Sequence, residues 1–408
     1  MAHGEQGQNG VEVDDERYQP YHQGGIVWDP PLVLTPEQER AKQEKEQEHR
    51  KKFLRNRAES RVRGMLLGLA VGETLGAAGG KLPAGGPLRA SVSTQLACFT
   101  AEGTIRAIVR GNHKGICHPP SVVWHAYCRW AALQGIEAER MRRRWAPYDT
   151  ETTWPDGWLA QIPVLTERRG SAPATVAALS KVEQGTLERP ATDSRGYHAL
   201  TRTLPVAAVA VSDLGYWTAQ AREFAALTHG DGAAHSAAAR ATVLVHHCLT
   251  GNGVRNSLQA GLSALPSLDR GLTDDEHGPL TAALRQAVAQ PADAGRLAQL
   301  APDATAPSAL LGGLYAAASF PDRSDVETAL RFAAGAPSGA SVACVTGALL
   351  GAAHGVEALP GGLVSRHELA WVLDTLARDL LSEATDSPSG GEYVGGWDPN
   401  WWNRYPGG

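Results

Sequence analysis

The sequence predicts an all-α protein of ten or more short, closely packed helices. Three observations predict it. Apolar residues recur at helical spacing from Ala58 to about residue 384, alternating strand patterns are nearly absent, and 45 glycines leave room for helices to approach closely. Hydrophobic residues make up 43% and charged residues 20% of the 408 positions, enough for a sizeable core. Clear stripes are Trp217, Ala221, Phe224 and Leu227, then Ala237, Ala241, Leu244 and Val245.

Taken in order, residues 1–34 are polar and poor in aliphatics, the composition of a disordered arm. Its Ile26-Val27-Trp28 patch beside Pro30-Pro31 reads as a self-anchor or a docking peptide. A polar lead-in helix covers 35–57. Thr35 suits its N-cap, Pro36 its first turn, and Gln38 completes a capping box. Its run of Glu, Lys, Arg and Gln has no core face, so a solvated helix is favoured over a partner-binding one. Residues 58–384 read as one domain without a repeat period. Its last helix carries Leu369, Val372, Leu373, Leu376 and Leu380 as a stripe, with Ser365 as cap and Glu368 closing a box. The 385–408 tail bears Tyr393, Trp397, Trp401, Trp402 and Tyr405. Packing of these rings on the core is favoured over a free partner-binding tail.

The net charge of −5 gives no bias toward nucleic acid or an anionic membrane. No apolar run is long enough for a membrane span and no signal peptide is evident, so a cytoplasmic protein is expected. Five cysteines without a C-x-x-C pair argue against a disulfide framework or structural zinc. Cys98, Cys248 and Cys344 lie in apolar runs and read as small core residues.

Five segments, in order, carry a family resemblance. Arg63-Gly-Met-Leu-Leu-Gly-Leu-Ala-Val-Gly-Glu-Thr-Leu-Gly76 resembles the Gly-rich opening helix of ADP-ribosylglycohydrolases. Thr94 to Gly103, Asp193 to Val206, Ala226 to Gly230 and Ser338 to Gly355 are similar to four further family segments. The resemblance spans roughly residues 60–384. It implies the family's all-α fold and, for standard members, cleavage of a glycosidic bond to ADP-ribose. It also implies two magnesium ions held by T-D-D-T and D-x-D-[ST] motifs, since hard cations want clustered carboxylates.

Here the first motif reads Ser91-Val92-Ser93-Thr94, and Val92 and Ser93 stand at its aspartate positions. The second reads Ser338-Gly339-Ala340-Ser341, with Ser338 and Ala340 at its aspartate positions. No Asp or Glu lies between Gly76 and Ala101, or between Ala333 and Val356, so a shifted register restores nothing. The surviving acids nearby are Glu73, Glu102 and Glu357. Glu73 reads as a helix-end or pocket-rim carboxylate, able at most to attract one cation. The family's G-C-G ligand loop is Gly196-Tyr197-His198, and Arg202 is retained. The family magnesium site is therefore expected to be lost, with no cofactor.

The expected function is a degenerate member acting by binding or scaffolding. Its ligand would be ADP-ribose or another nucleotide-like molecule, or its partner a protein met through residues 36–56 or the aromatic tail. The alternative is an active, metal-independent hydrolase with Glu73 and His198 as acid–base candidates. The other lining residues of either pocket would be Ser91, Thr94, Tyr197, Arg202 and Ser341. Two smaller constellations remain: His113 and His118 flanking Cys117 in a Gly/Pro loop, a transition-metal possibility, and the basic run Arg140 to Arg144, a solvated helix end or a phosphate patch.

Overall fold

A computed structural model describes residues 36–146, 154–268 and 274–407. The chain divides into two units, Met1–Lys52 and Phe53–Gly408. The expected arm 1–34, with its Ile26–Trp28 patch, and the Thr35 cap lie outside the described residues. Within the first unit, residues 39–52 are exposed along one stretch of helix, with an i,i+4 contact between Lys42 and Glu46 at 3.9 Å.

The helices run in chain order as α1 (Pro36–Ala77), α2 (Val92–Lys114), α3 (Pro119–Leu133), α4 (Ala138–Trp145), α5 (Pro173–Leu179) and α6 (His198–Thr201). They continue as α7 (Leu214–Ala226), α8 (Gly232–Thr250), α9 (Val254–Leu268), α10 (Asp274–Ala289), α11 (Ala294–Leu300) and α12 (Ala306–Ser319). The last are α13 (Val326–Ala334), α14 (Gly339–His354), α15 (Gly361–Val364), α16 (Ala370–Asp386) and α17 (Trp401–Arg404). Among the described residues the only sheet is a two-residue hairpin, Gly390–Gly391 with Val394–Gly395. The fold is all-α, and the predicted stripes on α7, α8 and α16 are buried as expected. No described helix is long and apolar enough to cross a membrane.

Two helices lie at the centre. Residues Val92 to Ala107 of α2 are buried without a break, as is α14 from Ser341 to Ala353. A helix buried all round must be apolar or small on every face, as the Ala, Gly, Thr and Val of α14 are, or pair its polar groups, as Glu102 of α2 does with Arg106 and Arg129. α14 crosses the C-terminal half of α1 backbone to backbone. A Cβ placed on Gly68 would stand 2.2 Å from the Gly347 carbonyl oxygen, and one on Gly347 would stand 2.0 Å from the Gly68 oxygen. The same contact repeats at Gly64 with Gly351, and Gly72 and Gly76 approach the Ala343 and Gly339 oxygens. The four-residue glycine spacing of the opening segment is thus a close helix crossing.

The last long helix departs from its expected start. It begins at Ala370, while Ser365 follows the short α15. Glu368 makes no capping box. Its carboxylate accepts from the Ala90 amide at 2.8 Å and pairs with Arg169 at 3.1 Å, long-range partners that a local motif cannot disclose.

The tail folds back on α16 and α2. Trp401 and Tyr405 are buried, and the Tyr405 hydroxyl donates to Asp379 at 2.6 Å beside the Arg404–Asp379 pair. His113 of α2 meets the Trp402 ring edge-on at 4.6 Å. Tyr393 and Trp397 remain exposed.

Candidate functional site

The N-termini of α2 and α14 meet the last turns of α1. The carboxylate of Glu73, itself buried, accepts the Ser93 amide at 3.1 Å, the Thr94 amide at 2.9 Å and the Thr94 hydroxyl at 2.5 Å. Ser91 sits at the N-cap position of α2 but makes no side-chain cap bond. Glu73 therefore caps α2 from a different helix. The fit is favourable because the first amides of a helix are orphan donors at the positive end of its dipole. One turn on, Gly76 lets Gly339 and Ala340 of α14 pack against α1. The two variant motifs thus converge on Glu73 and Gly76.

At α14 the hydroxyls satisfy one another. Ser338 and Ser341 Oγ lie 3.0 Å apart, and the Ser341 hydroxyl also reaches the Ser338 carbonyl at 3.0 Å. Ala340 contributes no donor or acceptor side chain, and neither does Val92, which is buried in the first turn of α2.

His198 lies between α2 and the segment 167–172. Its Nε2 is 3.0 Å from the Ser171 carbonyl oxygen and its Nδ1 is 3.0 Å from Ser93 Oγ. A carbonyl can only accept, so Nε2 carries the proton and Nδ1 accepts from the Ser93 hydroxyl. Burial pushes the His198 pKa down to about 4, which keeps the ring neutral at neutral pH. The Tyr197 ring packs against it with centroids 4.2 Å apart, and burial, with Glu73 and Cys344 nearby, pushes the Tyr197 hydroxyl up to about 12. Gly196 is held by pairing with Thr305, and a Cβ there would come within 3.3 Å of His229 Nε2.

Arg202 is fully buried and turned toward the end of α7. It donates to the Thr228 hydroxyl at 2.6 Å and to the Phe224 carbonyl at 2.9 Å, and its guanidinium stands 4.6 Å from the centre of the Tyr127 ring. These bonds tie α6 to the carbonyl end of α7, a structural use of the side chain.

The segment 167–172 was not singled out in the sequence, yet it covers the start of α2. Gln95 Nε2 donates to the Glu167 carbonyl at 2.9 Å, and Arg168 Nε to the Gln134 carbonyl at 3.0 Å. Gly170, at φ +68°, lies so close that a Cβ would be 3.3 Å from Ser91 Oγ. A hollow of about 450 Å³ remains beside it, lined by Val92, Trp130, Gln134, Arg168, Arg169 and Ser171. The only local signal was a polar Arg-Arg-Gly-Ser run between apolar stretches.

A pair of hard cations would need several carboxylates here. Glu73 is the acid at this junction, and both its oxygens are spent on capping. Among the described residues no three His, Cys, Asp or Glu side chains are grouped to hold a metal ion. In the His113–Cys117–His118 constellation, His113 Nε2 lies 2.9 Å from the Ser389 carbonyl oxygen.

The glycine-crossed opening helix and the paired helix starts at its last turns define a many-helix class of all-α proteins. The family model for ADP-ribosylglycohydrolase matches residues 54–389, and the chain belongs to that family. Among solved structures it is similar to a chain of an ADP-ribosylglycohydrolase-related protein complex, with 21% identity and a TM-score of 0.51. That match covers 81% of this chain and 100% of the other, a likeness of fold. No curated protein matches the sequence significantly.

Proposed function

We propose that this ADP-ribosylglycohydrolase-family protein has lost metal-dependent hydrolysis and acts by binding, as a sensor or scaffold. The observation that carries the reading is the internal closure of the family's metal position. Val92, Ser93, Ser338 and Ala340 stand where aspartates would, Glu73 is consumed as a helix cap, and His198 bridges Ser93 to Ser171. A reaction that develops charge on a ribose draws much of its rate from positioning and water activation by the ions. Neutral hydroxyls and methyl groups supply neither. The rival, a metal-independent hydrolase using Glu73 and His198, asks both groups to abandon bonds that hold α2 and the covering segment. A ligand of the ADP-ribose type would find guanidiniums at Arg168 and Arg169 and an apolar floor at Val92 and Trp130 in the adjoining hollow. Five free cysteines support a reducing compartment, in line with a cytoplasmic protein.

The test is release of ADP-ribose from ADP-ribosylated arginine, serine and DNA by the purified chain, with and without millimolar Mg²⁺. No turnover is expected, and no rise in melting temperature with Mg²⁺, whereas a saturating ligand would add about 2.7 kcal/mol at 100 times its Kd. Turnover by the unmodified protein that vanishes in a folded His198→Gln variant overturns the reading.

A further inference from the structure

The seam between the tail and the body holds two acids one helical turn apart. Asp379 and Glu383 stand at i and i+4 on α16, and both bond groups of the docked tail. The tail brings one cation to them. Arg404 pairs with Asp379 at 2.6 Å and lies 3.8 Å from Asp398. Glu383 is 1% exposed and has no ion pair among the described residues. Its Oε1 accepts from the Ser389 hydroxyl of the tail at 2.8 Å and from Asn112 Nδ2 of α2 at 3.2 Å. Its Oε2 is buried without a hydrogen-bond partner among the described residues. One carboxyl thus joins α16, α2 and the tail, held by neutral donors alone.

The other ionisable groups around the seam have partners elsewhere. On α2, His113 Nε2 donates to the Ser389 carbonyl at 2.9 Å, which it does whether or not the ring is charged, and Arg110 Nη1 donates to the Gly407 carbonyl at 3.2 Å. Glu102 of α2 pairs with Arg106 and Arg129. On α16, Asp386 pairs with Arg55 of α1 at 2.7 Å. Glu392 of the tail is exposed, and the Tyr405 hydroxyl donates to Asp379. Residues 204–208, which also pack on α16, carry no ionisable side chain. A buried carboxyl met only by neutral groups favours its uncharged form, because water no longer solvates the anion. Burial outweighs the donors around Glu383 and pushes it up to about 7, from the 4.5 that it would regain in water. Burial raises Asp379 too, with Tyr405 and Arg404 opposing it.

From this arrangement we infer that the tail is a pH-operated latch: the uncharged Glu383 carboxyl keeps it docked, and ionisation, with no cation to meet the charge, releases it. The docked state binds the proton more tightly than the released one. Docking is therefore strongest below about pH 4.5, weakens as pH rises, and is weakest above about pH 7. Release uncovers Trp401 and Tyr405, both buried in the docked tail. It also withdraws Pro406 and Gly407 from the wall of a cleft of about 590 Å³ beside α2.

Trypsin cleavage after Arg404 in the full chain tests this, read by mass spectrometry of the released residues 405–408. Each rate is divided by that of a free peptide of residues 396–408 at the same pH, so that it reports the released fraction of the tail. The normalised rate should rise roughly tenfold between pH 6 and pH 8. Hydrogen exchange at the Tyr405 amide, bonded to the Trp401 carbonyl at 2.7 Å, should rise in step once corrected for intrinsic base catalysis. Glu383→Gln is uncharged at every pH and still accepts from Ser389 and Asn112, so it should keep the tail docked with a flat profile. His113→Gln should retain the rise. A normalised rate unchanged from pH 6 to pH 8 overturns the proposal. So does a rise that persists in the folded Glu383→Gln protein, or one abolished by His113→Gln.

Discussion

Replacing Glu73 by alanine removes the acceptor of three hydrogen bonds at the start of α2. The amides of Ser93 and Thr94 are then left buried, and Ser91 provides no side-chain bond to take over. A buried donor without a partner costs about 1–3 kcal/mol, so the two amides together amount to about 2–6 kcal/mol. Relief from burying a carboxylate offsets part of this. Loss of the favourable anion at the helix dipole, on the order of 1 kcal/mol, adds to it. A net destabilisation of about 3–4 kcal/mol is expected for Glu73→Ala. Glu73→Gln keeps one acceptor but turns an NH₂ group toward a backbone N–H, and should lose about 1–3 kcal/mol. The assay is chemical denaturation combined with hydrogen exchange resolved at Ser93 and Thr94, whose amides should lose protection first. A Glu73→Ala protein within about 0.5 kcal/mol of the parent, or one whose two amides stay protected, would refute the capping role and return Glu73 to the list of catalytic candidates.

Three further outcomes follow from the same structure. Gly72→Ala places a Cβ 2.0 Å from the Ala343 carbonyl oxygen and must push two backbones apart. It should cost about 1–3 kcal/mol or more, whereas Gly85→Ala, with no atom within 4 Å, should change the denaturation midpoint little. Burial raises Glu383 to about 7 from an ordinary value of 4.5, so the folded protein binds the proton more tightly than the unfolded chain. Its contribution to stability is lost as pH rises from about 4.5 to about 7, and Glu383→Gln should be more stable than the parent at pH 8 by on the order of 1–3 kcal/mol, an advantage that shrinks toward pH 5. His198 has the opposite sign: its pKa falls from 6.5 to about 4 on folding, so its share of stability is lost as pH drops through that window. His198→Gln should flatten part of the acid limb of a pH–stability curve, with His125, His229 and His367 among the other groups that contribute to it.

The helical periodicity of α7, α8 and α16 was readable because each stripe is a local pattern, and Trp217, Leu244 and Leu373 are buried where that pattern puts them. Motif order likewise pointed to residues 91–94 and 196–198 as neighbours, and Ser93 Oγ lies 3.0 Å from His198 Nδ1. What escaped the sequence are pairings set only in three dimensions. Glu73 looks like a rim carboxylate until α2 is seen to start against it. Glu368 satisfies a capping-box spacing, yet its oxygens go to Ala90 and Arg169. Arg129 and Asp156 carry no motif at all, and only the packing of α3 beside α2 turns them into partners of Glu102 and Arg106. Arg202, retained from the family pattern, proves to be a clasp on α7 because it donates to the Thr228 hydroxyl and the Phe224 carbonyl.

The glycine crossing between α1 and α14 also constrains how the chain comes into being. Gly64 meets Gly351 and Gly76 meets Gly339, partners more than 260 positions apart. On a ribosome adding about 5–20 residues each second, the first helix waits roughly 15 to 60 s before its mate exists. Throughout that interval Met65, Leu69 and Leu75, all wholly buried at the end, have no finished interior to enter. Closing so long a loop comes late in any pathway and slows the search for the native state. Truncation anywhere before residue 339 removes α14 and so leaves the glycine face of α1 and its apolar side chains uncovered.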